Sequence, residues 1–409
     1  MPAALILWLR QMRQRLWVRP LMYCLGAVGA VLLAAGADAL AWRGPGLEVS
    51  RETVLALLGV IASTMLAVAT FALGSMVQAY GLAGQSASPR AFALVLADDT
   101  SQAALSRFVG SFIFAVVGIV AVRTGLYGPL GLIVLFLLTL AVLSAVILTF
   151  VAWADRIARL GQVGNTIDKT EEAARTCLTR RRDDPAMGGV LRLPGEAAAG
   201  TAVTGECYGY VQSVDMACLQ AATQGRLYLE AVPGTFVAPG TVLAVAVGPE
   251  VDVAAIRAAF AIGAERNFAD DPRFGLIVLA EIAGRALSPG VNDPGTAIAI
   301  LGRFVRLFAV WAEPAAPARV RFDRVVVRGV ALADMFDDAF TPIARDGAGI
   351  VEVGIRLQKA LVALAGLPAP EFRREAARHS ALALARAFAA GALPQDLARI
   401  EALSAELVE

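Results

Sequence analysis

The sequence predicts an integral membrane α-helical protein, with four transmembrane helices followed by a soluble α+β cytoplasmic domain. Three observations predict it. The 409 residues are 57% hydrophobic with a mean hydropathy of +0.65, too apolar for an ordinary soluble protein. The apolar excess lies in charge-free stretches at residues 20–37, 53–89, 108–122 and 124–154. After Asp155 charges return every few residues, and about 250 residues remain to bury a core of their own.

The four stretches place spans at about residues 20–42, 53–80, 104–123 and 128–154, forming a transmembrane domain over 1–160. The third needs Arg107 and Arg123 to snorkel outward. Arg10, Arg13, Arg15 and Arg19 precede the first span and Arg156 and Arg159 follow the fourth. Cytoplasmic flanks retain arginine during insertion, so both termini are expected in the cytoplasm, although Arg43, Arg51 and Arg123 in the outer loops make the bias moderate. Ala39-Leu40-Ala41 has the pattern of a signal-peptidase site. The apolar run before it exceeds a typical signal core, which favours an uncleaved first span.

As one helix, residues 53–89 would extend on the order of 55 Å and outrun the bilayer, or bend near Gly81 and Gly84. Ser63, Ala67, Thr70, Gly74, Gln78, Gly81 and Gln85 alternate at spacings of three and four, which puts them on one face. That stripe either packs helices or lines a water-filled path between subunits; its lack of charge weighs toward packing. Ser88, Pro89 and Arg90 end the run, with Ser88 placed to cap a helix starting at Pro89 and Arg90 at the membrane exit.

Residues 161–204 read as a helical connector that extends the fourth span. Its run Arg180-Arg181-Arg182 would attract anionic lipid, at about 1 kcal/mol per charge close to a membrane surface. Residues 205–250 change period: GYVQSVD, RLYLEAV and TVLAVAV, separated by Pro233-Gly234 and Pro239-Gly240, predict a small β module of barrel or sandwich type. PGTFVAPGTVLAV is similar to the hairpins of biotinyl- and lipoyl-carrier barrels. The two lysines, Lys169 and Lys359, lie outside it, so no prosthetic group is expected.

Residues 251–409 read as mainly helical. Asp271 and Pro272 are placed as cap and first residue of a helix that carries the i,i+4 pair Glu281 and Arg285. Ser288-Pro289-Gly290 stops it, with Gly290 free to adopt positive φ. Asn292 or Asp293 then caps a second helix with Pro294 at its first position. The result is a stiff corner whose N–H groups would suit an anion, except that the Asp293 carboxylate competes for them. A strand over 319–327 and helices at 332–345, 350–365, 371–390 and 394–408 complete the chain. Asp334, Asp337 and Asp338 share a helical face, read as solvated rather than as a metal cage, and His379 reads as a surface partner of Glu375.

The segment ERNFADDPRFGLIVLAEIAGRALSPGVNDPGTAIAIL closely resembles the most distinctive block of the DUF2254 family of predicted bacterial membrane proteins. QSASPR, YVQSVD and PGTFVAPGTVL fit the same family, with Ala87 and Glu281 departing from its pattern. The resemblance implies a multi-pass protein of the bacterial inner membrane and carries no activity.

No residues fall at a spacing that supplies an activated nucleophile, an acid–base pair or a metal site. Cys24, Cys177, Cys207 and Cys218 form no CxxC pair, and a net charge of +1 argues against nucleic acid as a partner. Neither catalytic residues nor a cofactor are expected. The leading functional reading is an oligomeric ion channel or transport-related pore, its second helix lining the path and its cytoplasmic domain assembling or gating it. The expected partners are the bilayer, further copies of the chain and an ion or small ligand. The alternative is a membrane-anchored sensor or scaffold with no conducting path.

Overall fold

The computed structural model describes residues 18–37, 49–86, 88–91, 94, 99–160, 162–193, 195–196 and 199–407. The flanking Arg10, Arg13 and Arg15, and the Ala39-Leu40-Ala41 site, lie outside these residues. The chain divides into two compact units, residues 1–166 and 167–409.

The first unit is helical. It contains α1 (Val18–Gly36), α2 (Arg51–Ser86), α3 (Asp99–Arg123) and α4 (Pro129–Leu160). α2 runs unbroken through Gly81 and Gly84, so its 36 residues extend about 54 Å at 1.5 Å per residue. α3 packs against α1 and α2, and two glycines permit the close approach. A Cβ on Gly110 would fall 2.9 Å from Tyr23 Cβ, and one on Gly118 would fall 3.1 Å from Leu58 Cδ1. Trp153 of α4 anchors an aromatic cluster with Phe71, Phe108 and Phe150. The Tyr127 hydroxyl, buried after α3, donates to the Val31 carbonyl at 2.9 Å, which satisfies a polar group in an apolar setting.

Among the described residues, four helices are long and apolar enough to cross a membrane: Arg51–Ala79, Ala103–Arg123, Pro129–Ile157 and Pro294–Ala312. Three coincide with expected spans. The expected first span is represented by the shorter apolar helix Leu21–Gly36. Pro294–Ala312 has a different character, because Arg303 and Arg306 on it bond the buried Glu171 carboxylate within the second unit. Those guanidinium groups hold the Glu171 carboxyl below its ordinary value despite the opposing effect of burial.

α5 (Val163–Asp183) carries the chain into the second unit. Among the described residues eight strands follow: β1 (Val190–Leu191), β2 (Thr201–Thr204), β3 (Gly209–Val214), β4 (Arg226–Leu229), β5 (Phe236–Val237), β6 (Val242–Val247), β7 (Phe260–Gly263) and β8 (Val325–Val327). They form two open sheets, in the orders β1-β8-β4-β6-β2 and β5-β3-β7. This corrects the barrel expectation. Strands from 190–204, 260–263 and 325–327 complete the sheets, so residues 205–250 do not close on themselves. The short helices α6 (Met216–Ala221) and α7 (Val253–Ala258) are capped by Asp215 and Asp252, and Leu219 and Ile256 fill the core between them and the strands.

Six further helical segments include α8 (Phe274–Ala286), α9 (Pro294–Ala312), α10 (Leu332–Asp346), α11 (Val351–Ala365), α12 (Pro370–Ala389) and α13 (Pro394–Ala405). α8 packs on α9 and α10, and α11 packs on α9, α12 and α13. Phe304, Phe308, Phe336, Phe340 and Phe372 meet at the centre edge-on or tilted, with Phe308 and Phe340 stacked.

Candidate functional site

The stripe on α2 faces away from its bundle. Val54, Leu58, Ile61, Met65, Ala72 and Met76 bury the opposite face, whereas Ser63, Thr70, Gly74 and Gln78 are exposed. Ser63 and Thr70 donate to the carbonyls of Val60 and Leu66, so these hydroxyls are satisfied inside the helix. The Gln78 amide has no partner among the described residues. Gln85 lies on the helix, but its side chain is outside the described set. Ser88 is buried and caps a turn rather than a helix: its Oγ accepts from the Arg90 N–H, and its carbonyl accepts from Ala91. Pro89 and Arg90 are exposed.

At the corner, Ser288 donates through Oγ to the Arg285 carbonyl at 2.6 Å, and the Asn292 and Asp293 N–H groups bond Ser288 O and Ala286 O. The left-handed residue is Asn292, φ 50°, and not Gly290 as expected. Asn292 can adopt that conformation because its short polar side chain lessens the steric penalty. Asp293 caps α9, accepting from the Thr296 N–H and hydroxyl, with Pro294 in the first turn. Those bonds hold its carboxyl below the ordinary value. Pro289 and Gly290 are exposed, Glu281 is half-buried and Arg285 exposed; both ends of that i,i+4 spacing have partners.

Other expectations require correction. Asp271 is not a helix cap, since α8 starts at Phe274 with Arg273 at the cap position. The Arg180-Arg181-Arg182 run is not a free basic patch: Arg181 is 6% exposed and donates to Asp270 O, and Arg182 bonds Asp183, Glu313 and the Val310 carbonyl. The Asp334, Asp337 and Asp338 face is not merely solvated. Arg273 grips Asp334 and Asp338, and Arg378 bonds Asp337. His379 is buried rather than on the surface, between the rings of Phe336 and Phe340.

These corrections converge on one cavity of about 310 Å³ in the second unit. β4 and β8 are parallel neighbours, so the segments leaving their carboxyl ends, 230–235 and 328–331, form adjacent walls. Arg181 of α5, Arg266 and Asp271 of the loop before α8, and the start of α10 complete it. The carboxylates on its wall are each paired: Glu230 with Arg192, Asp271 with Arg266 and Asp334 with Arg273. Arg181 and Arg328 are left without a carboxylate partner among the described residues. Burial pulls the Arg181 guanidinium below its ordinary pKa. The sequence signal for this site was present in ERNFADDPR, where two arginines and two aspartates flank a proline, but their partners lie far away in the chain.

Residues 13–363 match the family described as a predicted membrane protein, DUF2254. The chain belongs to the DUF2254 family. Uncharacterized proteins of Mycobacterium bovis and Mycobacterium tuberculosis are each 28% identical to this DUF2254 chain over 285 residues, covering 65% of it and 54% of the relative. The chain thus spans about half the length of the curated relatives it matches. No solved structure matches it. The α2 stripe, the corner and the arginine cavity all lie within the family match, whereas α12 and α13 fall beyond it.

Proposed function

We propose that this membrane protein is a homo-oligomer of the bacterial inner membrane, with both termini cytoplasmic, in which α2 faces a conducting or transport path. The second unit assembles or gates that path. The observation that carries the reading is that Ser63, Thr70, Gly74 and Gln78 form a stripe on the outward side of α2, unused by the chain's own helices and set among exposed apolar residues such as Val60, Leu66, Phe71 and Val77. An amide such as that of Gln78 is costly against lipid without a hydrogen-bond partner, and water or a second copy would supply one. The arginines before the first span and after the fourth support the orientation.

The test is ion flux through proteoliposomes bearing the full chain. Gln78→Leu and Thr70→Leu are expected to change flux severalfold while leaving the assembled mass unaltered by native mass spectrometry. Unchanged flux in folded variants, or a monomeric protein, sinks the pore reading. A second reading is a membrane-anchored sensor, favoured by the arginine cavity; it predicts no conductance.

A further inference from the structure

The geometry points to the cavity between 230–235, 328–331 and Arg181 as a binding site for the phosphate group of a small phosphomonoester. This inference rests on the second unit alone and stands whether or not the protein conducts. Three independent features meet there. The first is a buried charge without a direct ion pair: Arg181 lines the cavity at 6% exposure and, among the described residues, hydrogen-bonds the carbonyl of Asp270, with the Asp270 and Asp271 carboxylates attracting it from farther off. Burial outweighs those two charges and still disfavours the guanidinium, so an anion in the cavity would supply the direct partner it lacks.

The second feature is donor supply. Arg328 is exposed on the opposite wall and bonds nothing among the described residues. Arg266 uses its Nε for Asp271 at 2.6 Å and lies over the Phe274 ring, and its two terminal amino groups make no hydrogen bond among the described residues. Guanidinium forks match the oxygens of phosphate, whereas a carboxylate would satisfy fewer of these donors.

The third is the start of α10. Its cap residue, Ala331, lines the cavity and offers no side-chain acceptor, so the first-turn N–H groups lack the usual cap. Such a helix end favours negative charge. Asp334 in that turn opposes an anion, and Arg273, which bonds it at 2.8 Å but is shared with Asp338, offsets that only in part. With Glu230 and Asp271 also paired, the unpaired arginines leave the cavity positive. Its 310 Å³ exceeds the needs of bare phosphate and lies at the lower end of the range for small-molecule sites.

The experiment uses the full chain in detergent and in nanodiscs, free of phosphate and sulfate. Inorganic phosphate and glycerol 3-phosphate at about 10 mM are expected to raise Tm by about 3 °C or more, an effect that weakens as salt rises. Arg328→Ala is expected to bind either probe about tenfold more weakly, with its phosphate-free Tm unchanged. Arg181→Met removes the buried charge and is expected to abolish the phosphate response. Nanodiscs containing phosphatidic acid identify the source: competition with glycerol 3-phosphate assigns the site to a lipid headgroup, and its absence assigns it to a soluble ester. No response to any of these phosphate sources, or wild-type affinity in Arg328→Ala, overturns the inference.

Discussion

Replacing Gly234 with alanine is expected to destabilise the second unit by about 3 kcal/mol and to disturb the arginine cavity. Gly234 has φ 94°, a conformation that costs an L-residue roughly 1–2 kcal/mol. An added Cβ would also lie 2.5 Å from Oδ2 of Asp271. That carboxylate cannot swing aside cheaply, because it is 2% exposed, bonded by Arg266 and accepts from the Arg273 N–H. Moving it would strand the buried carboxylate and the guanidinium together. Gly240 supplies the control: its φ is 89°, but nothing lies within 4 Å of its Cβ position. Chemical unfolding of the full chain should therefore show Gly240→Ala losing only the conformational part. Equal losses at the two glycines would show that the Asp271 contact contributes nothing.

Acid should weaken the same unit through His379. Burial, with the Arg378 charge adding to it and Asp337 and Glu375 opposing, pulls its pKa from 6.5 down to about 4. The geometry explains the direction. Nε2 lies 3.1 Å from Asp337 and 3.0 Å from Arg378 Nη2, and Nδ1 is buried with no partner, so the imidazolium would hold an N–H with no acceptor beside Phe336 and Phe340 and a like charge at Arg378. The folded state thus holds the neutral ring while the unfolded chain protonates. Stability from this group is complete above pH 6.5, falls as pH drops through the window to about 4, and has no further slope below it. The full loss is on the order of 3 kcal/mol. Hydrogen exchange of residues 370–389 at pH 7.5 and pH 4.5 would report it. His379→Leu should flatten that part of the pH dependence; an unaltered slope would assign the acid sensitivity to other groups.

Much of the architecture was legible because it depends on local pattern. A charge-free run over 53–89 has no stable alternative to a long helix in lipid, and α2 follows it from Arg51 to Ser86. Asp293 followed by Pro294 and Thr296 is a helix start written in consecutive residues, and it is one. The arginine cavity was not legible in the same way. Arg181, Arg266 and Arg328 are separated by scores of residues, and their spacing has no helical or strand period that would link them. His379 looked like a surface residue for a similar reason, since its burial comes from Phe336 and Phe340 on another helix.

The sequence by itself determined that the chain carries several apolar stretches of membrane-spanning length, that a helix starts at Asp293-Pro294, and which family the chain resembles, since these follow from side-chain chemistry within a few turns. Only the tertiary structure decided that the β segments form two open sheets, because strands from 190–204, 260–263 and 325–327 pair across the chain. It also decided that the basic run is split between bonds and a cavity, and that Asp334 and Asp338 belong to Arg273. Charge pairing depends on distance through space and on the loss of water around each group, and neither is set by neighbours in sequence.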